Sequence, residues 1–211
     1  LILKFMGCAS TNSFKPLVMV GPSGVGKGTL IKKAFDKYKE RFSFSISYTT
    51  RAPRDGEING KDYHFVSQED FQKIIDEDGF IEHCDVHGKK YGTALKELDR
   101  IKGEKKIPVL DIDVQGATKV NTKKIDSLFI FVKPVDTEDL DKIRAALTDR
   151  LQGRGTENEE QIKGRVDKAA GEIDAFQKSS FFDHTLVNDD LEAASKRLFE
   201  ILENEYKTEI V

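Results

Sequence analysis

Short apolar runs alternate along this chain with longer stretches in which apolar residues recur every three or four positions. Leu17-Val18-Met19-Val20 is a continuous run of strand length, and Leu30, Ile31, Ala34 and Phe35 follow at helical spacing. Phe42, Phe44 and Ile46 alternate with Ser43, Ser45 and Ser47, which predicts a strand with one buried face. Helical spacing returns at 68–75, with Phe71, Ile74 and Ile75 on one side, and again from Leu95 to Ile101. Between them, 80–83 and 91–93 read as strands joined through His87 and Gly88. Ile107 to Asp113 and Leu128 to Val132 are near-continuous apolar runs, the pattern of parallel strands covered on both faces, with Pro108 at the start of the first. The charged segment 138–160, where Gly153 and Gly155 bracket Arg154, reads as mobile, exposed and outside the core. From Glu160 a long helix carries Ile162, Val166, Ala169, Ala170, Ile173 and Phe176 at helical spacing. Thr185-Leu186-Val187 is a last short strand, and Asn188-Asp189-Asp190 caps a final helix bearing Leu191, Ala194, Leu198, Ile201 and Leu202.

The βα rhythm predicts an α/β fold, an open parallel sheet wrapped by helices. Residues 46–96 break that rhythm and read as a small mixed, mostly antiparallel insert, with a type I′ turn at Asn59-Gly60 and Tyr63 on the hairpin that follows. Ligands of such sheets sit beyond the carboxyl ends of the strands. Gly21 to Thr29, GPSGVGKGT, lies at that edge, after the first strand and before its helix. Gly21, Gly24 and Gly26 let the backbone approach an anion, successive N–H groups point inward at a helix N-terminus, and Lys27 reaches the phosphates. This is a P-loop, with Ser23, Val25 and Gly28 completing the cradle. The residue after the Lys is usually Ser or Thr, which ligates Mg²⁺; here it is Gly28, and the hydroxyl comes one later, at Thr29. Asp111 and Asp113, ending the strand from Ile107, fall on the same edge.

With 211 residues the chain can bury one sizeable core with insertions. A net charge of −3 and a pI of about 5.9 give no bulk attraction for nucleic acid or an anionic membrane. No apolar run approaches the roughly 18 residues of a membrane span. Cys8 and Cys84 lack metal or CxxC spacing and read as free thiols of a reducing compartment, hence a cytoplasmic location. Residues 1–14 read as an N-terminal extension. The four histidines show no metal-ligand spacing.

Arg51 and Arg54 flank Pro53 just past the predicted strand that ends near Ser47. Alone they are ordinary loop arginines; beside a P-loop, with Tyr63 nearby, they make a pair suited to bidentate phosphate binding. SYTTRAPRDGEINGKDYHFVS, FIEH, YGT, LDIDVQG and RLQGRGTENEEQIKGR together resemble, in the right order, the signature blocks of guanylate kinases, and the resemblance runs from Lys15 to the end. It implies a three-layer P-loop NTPase core over 15–45, 97–137 and 166–211, a GMP-binding domain over 46–96 and a lid over 138–165. It implies transfer of the γ-phosphoryl group of ATP to GMP, a reaction of purine nucleotide metabolism, with Mg²⁺ accompanying ATP. GMP phosphate then falls to Arg51, Arg54, Tyr63 and Tyr91, and guanine to Glu82, Ser47, Thr93 and Asp113. An ionised carboxylate suits the N1–H and N2–H₂ donors of guanine, and a hydroxyl suits O6. Lys27, Arg51, Arg154 and Arg165 neutralise the moving phosphoryl group, Arg150 lies near the ATP phosphates, and Asp111 and Thr29 are the metal candidates, Asp111 through water. The segment 139–150 is several residues longer than in typical members, which predicts a longer helix into the lid. Two alternatives stand beside this reading: an inactive binding module of the same fold, and a kinase for another nucleoside monophosphate. The retained Lys27, Arg154 and Arg165 oppose the first, and Ser47, Glu82 and Asp113 oppose an adenylate kinase.

Overall fold

A computed structural model describes residues 14–86, 88–154, 158–207 and 209–210, so most of the N-terminal extension lies outside the described residues. Five parallel strands form the central sheet in the order β2-β7-β1-β8-β9, made by Phe42–Phe44, Ile107–Ile112, Leu17–Val20, Leu128–Lys133 and His184–Val187. β1 lies between β7 and β8, pairing Val20 with Ile112 on one side and with Phe131 on the other. All four residues of β1 and all six of β8 are buried, as continuous apolar runs with both faces covered require. The helices α1 (Lys27–Lys37), α3 (Leu95–Gly103), α4 (Val114–Thr122), α5 (Leu140–Arg154), α6 (Glu159–Gln177) and α7 (Leu191–Tyr206) share one hydrophobic core with this sheet. Phe176 of α6 stacks on Phe131 of β8, ring centroids 3.8 Å apart.

The expected exposed segment over 138–160 is corrected by α5. Ile143, Leu147 and Leu151 repeat at four-residue intervals, are 1%, 0% and 0% exposed, and belong to the main core. The charged residues between them occupy the outer faces of a helix, and their number masks its apolar stripe. The start of α6 is fixed by a reciprocal cap in which Asn158 Oδ1 accepts from Gln161 N and Gln161 Oε1 accepts from Asn158 N.

The insert holds a second sheet in the order β4-β3-β6-β5, made by His64–Phe65, Tyr48–Thr49, Lys89–Ala94 and Phe80–Val86, together with α2 (Gln68–Asp76). Its own small core comprises Tyr48, Phe71, Phe80 and Ala94. β5 and β6 pair antiparallel, as expected, but β3 and β4 are parallel, so Tyr63 does not follow a hairpin turn. Gly60 takes a φ of +77°, yet Asn59 does not join it in the left-handed region, and no type I′ turn forms. Asn59 instead accepts from Phe65 N through its side chain, and Ile58 O accepts from Lys61 N and Asp62 N, coiling the loop on itself. The alternation of Phe42, Phe44 and Ile46 is cut short too: β2 ends at Phe44, which is 42% exposed and leans on Phe35, ring centroids 4.9 Å apart.

Candidate active site

The P-loop leaves β1 at Gly21, whose φ of +147° disfavours a side chain and where a Cβ would come within 2.5 Å of Val132 O. Gly26 (φ +96°) serves as N-cap of α1, so the first amides of that helix face the loop. Lys27 folds back over it: Nζ donates to Gly21 O at 2.5 Å and lies 3.5 Å from Asp111 Oδ1. Its surroundings push the Asp111 carboxyl up, and Lys27 opposes this.

A cavity of about 340 Å³ joins this loop to the insert, and Lys27, Ser47, Tyr63, Glu82, Tyr91 and Asp113 all line it. Glu82 and Thr93 face each other across β5 and β6, and Thr93 Oγ1 donates to Glu82 Oε1 at 2.7 Å. Burial raises the Glu82 pKa, an effect that the Thr93 hydroxyl and Lys119 partly offset. Thr93 and Ser47 also share an adjoining cavity with Tyr63 and Asp111. Asp113 divides its carboxylate: Oδ1 caps α4 by accepting from Gly116 N, and Oδ2 lies 3.4 Å from Lys168 Nζ.

Arg51 stands at the edge of this cluster, its guanidinium 5.5 Å from the centre of the Tyr63 ring. Glu57 binds it through two hydrogen bonds of 2.8 and 2.9 Å and also accepts from Arg54 N. Those bonds hold the Glu57 carboxyl down at about 2 and, with Tyr91, raise Arg51 further. Arg54 keeps an exposed side chain; its backbone N–H donates to Glu57, and its charge also helps to lower the Glu57 pKa. Arg165, on α6, donates to Ser23 Oγ of the P-loop at 3.3 Å. Arg154 ends α5, and its side chain lies outside the described residues.

A second cavity, about 290 Å³, lies on the other side of the P-loop, lined by Gly24, Gly26, Thr29, Arg150, Asn188 and Asp189. Arg150 donates to the carbonyl oxygens of Val25, Pro134 and Asn188, tying three loops together, and burial lowers its pKa. Thr29 and Asp111 therefore border different cavities, and among the described residues no cluster of three or more His, Cys, Asp or Glu can hold a metal ion.

Three groups escaped the sequence reading. Asn188 was expected in a cap; the cap is Asp190, which accepts from Ala193 N, while Asn188 is buried and donates to Val25 O at 2.7 Å. Lys168 and Glu172 line the main cavity. With Arg165 they fall at i, i+3 and i+7 of α6, a repeat that was open to detection once Arg165 was singled out. Burial lifts the Glu172 pKa to about 7 against the pull of Lys168 and Lys27, and among the described residues its Oε2 has no hydrogen-bond partner.

The family model for guanylate kinase matches residues 13–205. Guanylate kinase of Schizosaccharomyces pombe is 43% identical over 188 residues, which cover 89% of this chain and 90% of that protein. Guanylate kinase 1 of rice is 47% identical over 89% of this chain, which spans 47% of the rice protein's length. Among solved structures, guanylate kinase from Anaplasma phagocytophilum is 30% identical, with a TM-score of 0.61 over 93% of this chain and 88% of the other. With the family model matched over 13–205 and a 43% identical relative covered over nine-tenths of its length, this chain belongs to the guanylate kinase family.

Proposed function

We propose that this chain transfers the γ-phosphoryl group of ATP to GMP, giving ADP and GDP, with Glu82, Thr93 and Ser47 reading the base. The observation that carries the reading is one cavity lined by a P-loop lysine, two tyrosines and a half-buried carboxylate bonded to a hydroxyl. Guanine offers two adjacent N–H donors to Glu82, and adenine would leave that half-buried carboxylate without them, a basis for rejection. Arg51, Arg54, Tyr63 and Tyr91 hold the GMP phosphate, whose oxygen bonds to the γ-phosphorus as the bond to the bridging oxygen of ADP breaks. Lys27, Arg51, Arg154 and Arg165 spread the charge of that in-line step, which needs positioning rather than a covalent intermediate. ATP takes the P-loop from Gly21 to Thr29, with Arg150 beside it.

Mg²⁺ is the metal we assign, and it would neutralise charge on the transferring phosphates. The donor set suits a cation held mainly by phosphate oxygens and water: Asp111 faces the cavity beside Lys27, Thr29 at the end of the P-loop is exposed and lines the other cavity, and Gly28 offers no side-chain oxygen. We assign the insert, 46–96, to GMP, the segment 138–165 to a lid, and the protein to the cytoplasm. No helix among the described residues is long and apolar enough to cross a membrane.

A coupled assay of ADP release with ATP and Mg²⁺, comparing GMP, AMP, UMP and dTMP, tests the proposal. Turnover with GMP alone is expected. Turnover mainly with another monophosphate would overturn the base-reading set, and GMP binding without turnover would favour a binding module.

A further inference from the structure

The chain crosses between its two sheets twice, and one buried carboxylate touches both crossings. The first runs from β2 through Ser45, Ile46 and Ser47 to β3; the second runs from β6 into α3, which leads back to β7. Glu97 lies in the first turn of α3 and is 2% exposed. Its Oε1 accepts from Ile46 N at 3.2 Å, across to the first crossing. Arg100 donates to both of its oxygens, at 2.8 and 3.0 Å. The third neighbour is His64 of β4, with Nε2 3.5 Å from Glu97 Oε2. That histidine donates its backbone N–H to Ser47 O at 2.9 Å and stacks on Tyr48, ring centroids 4.4 Å apart. Ser47 is thus held from both sides, by the tether on the residue before it and by the strand that Glu97 faces. Thr93, the other hydroxyl of the base pocket, lies four residues before Glu97.

We infer that Glu97 is a positioning residue for base recognition: by tethering Ile46 N it fixes the direction in which Ser47 enters the monophosphate pocket. Glu97 touches no reacting atom. A buried carboxylate with only its ion-pair partner would serve stability alone; the added bond to a backbone amide next to a pocket residue gives it leverage over the pocket. Burial acts against its charge, and the Arg100 and Ile46 hydrogen bonds reverse that, leaving the pKa lowered, so the tether is charged at neutral pH. Among the described residues Glu97 bonds or pairs with Ile46, Arg100 and His64, none of which lines the ATP-side cavity, so the effect is confined to one substrate.

The inference rests on the GMP reading above. Calorimetric titration of GMP and of ATP separately into wild type, Glu97→Ala, Glu97→Gln and Arg100→Ala tests it. Loss of the tether is expected to weaken GMP about tenfold, the equivalent of one hydrogen bond, with ATP affinity within about twofold of wild type. Glu97→Gln keeps an oxygen for Ile46 N and should restore GMP affinity. Arg100→Ala removes the same ion pair without the tether, so it should lower the melting temperature while keeping GMP affinity. Glu97→Asp, one methylene short of Ile46 N, stands in if Glu97→Ala does not fold and should show the same selective loss. Equal weakening of GMP and ATP, no rescue by Gln, or the same GMP loss in Arg100→Ala would overturn the role. A wild type that binds no GMP would overturn the guanylate reading itself.

Discussion

On the P-loop side of the cleft the groups we assign to phosphate are backbone amides and Lys27, at the turn into α1 from β1, whose four residues are all buried. On the insert side the groups we assign to the base are side chains, Glu82, Thr93 and Ser47, on or beside a small sheet with a four-residue core. The first half is specified by backbone shape, so glycines and one lysine suffice to build it. The second half is specified by opposed donors and acceptors on different strands, and its accuracy depends on register between β5 and β6 and on the crossings that hold the sheet in place. Charge is managed differently as well. Lys27 is held by Gly21 O of its own loop and by Asp111 of β7, whereas Glu82 is half-buried and takes its hydrogen bonds from Thr93, leaving acceptor capacity for a ligand.

The strongest way to break the comparison is Lys27→Ala. Removing the one side-chain charge of the P-loop should lower kcat about 10²–10³-fold in the coupled assay with little change in GMP affinity. Next is Glu82→Gln, which replaces one acceptor oxygen by a donor facing the guanine N–H groups. It should lower kcat/KM for GMP about 10²-fold and leave the KM for ATP near wild type. An equal loss toward both substrates would show that the halves are not independent.

The smallest expected effect concerns Glu172, between the halves. Its folded pKa, about 7, stands above the ordinary 4.5, so the native state keeps a proton that the unfolded chain releases. That contribution to stability is fully present below pH 4.5 and is lost as the pH rises through about 7. Glu172→Gln does not titrate, so its melting temperature should overtake that of wild type between about pH 5 and pH 8.5, by the equivalent of on the order of 2 kcal/mol. Parallel melting curves at both pH values would disprove it.

How legible each part was follows from the same physics. The core strands β1, β7 and β8 were plain because burial on both faces writes a continuous apolar run. The α5 stripe of Ile143, Leu147 and Leu151 was hidden because three core residues are diluted among charged ones that face solvent. The parallel pairing of β3 with β4 could not be read from Asn59-Gly60, since a side-chain bond from Asn59 to Phe65 N outcompetes the local turn. In the site, Lys27, Glu82, Tyr63, Tyr91 and Asp113 do converge on one cavity. Arg51 is found bound to Glu57, and Arg54 faces outward. Asn188 was missed because its bond reaches Val25, 163 positions away, and no spacing rule spans that distance.

Gly28, the letter that departs from the usual P-loop, differs from its neighbours in one practical respect. A Cβ at Gly21 would strike the backbone of β8, but one at Gly28 would meet nothing within 4 Å. It lies inside α1 and is exposed, where glycine costs a helix roughly 0.5–1 kcal/mol relative to alanine. Nothing in the packing demands that this position stay bare. For protein engineering it is an unoccupied slot: a serine there would gain helix stability and install, in one step, the hydroxyl that other P-loops present to their metal.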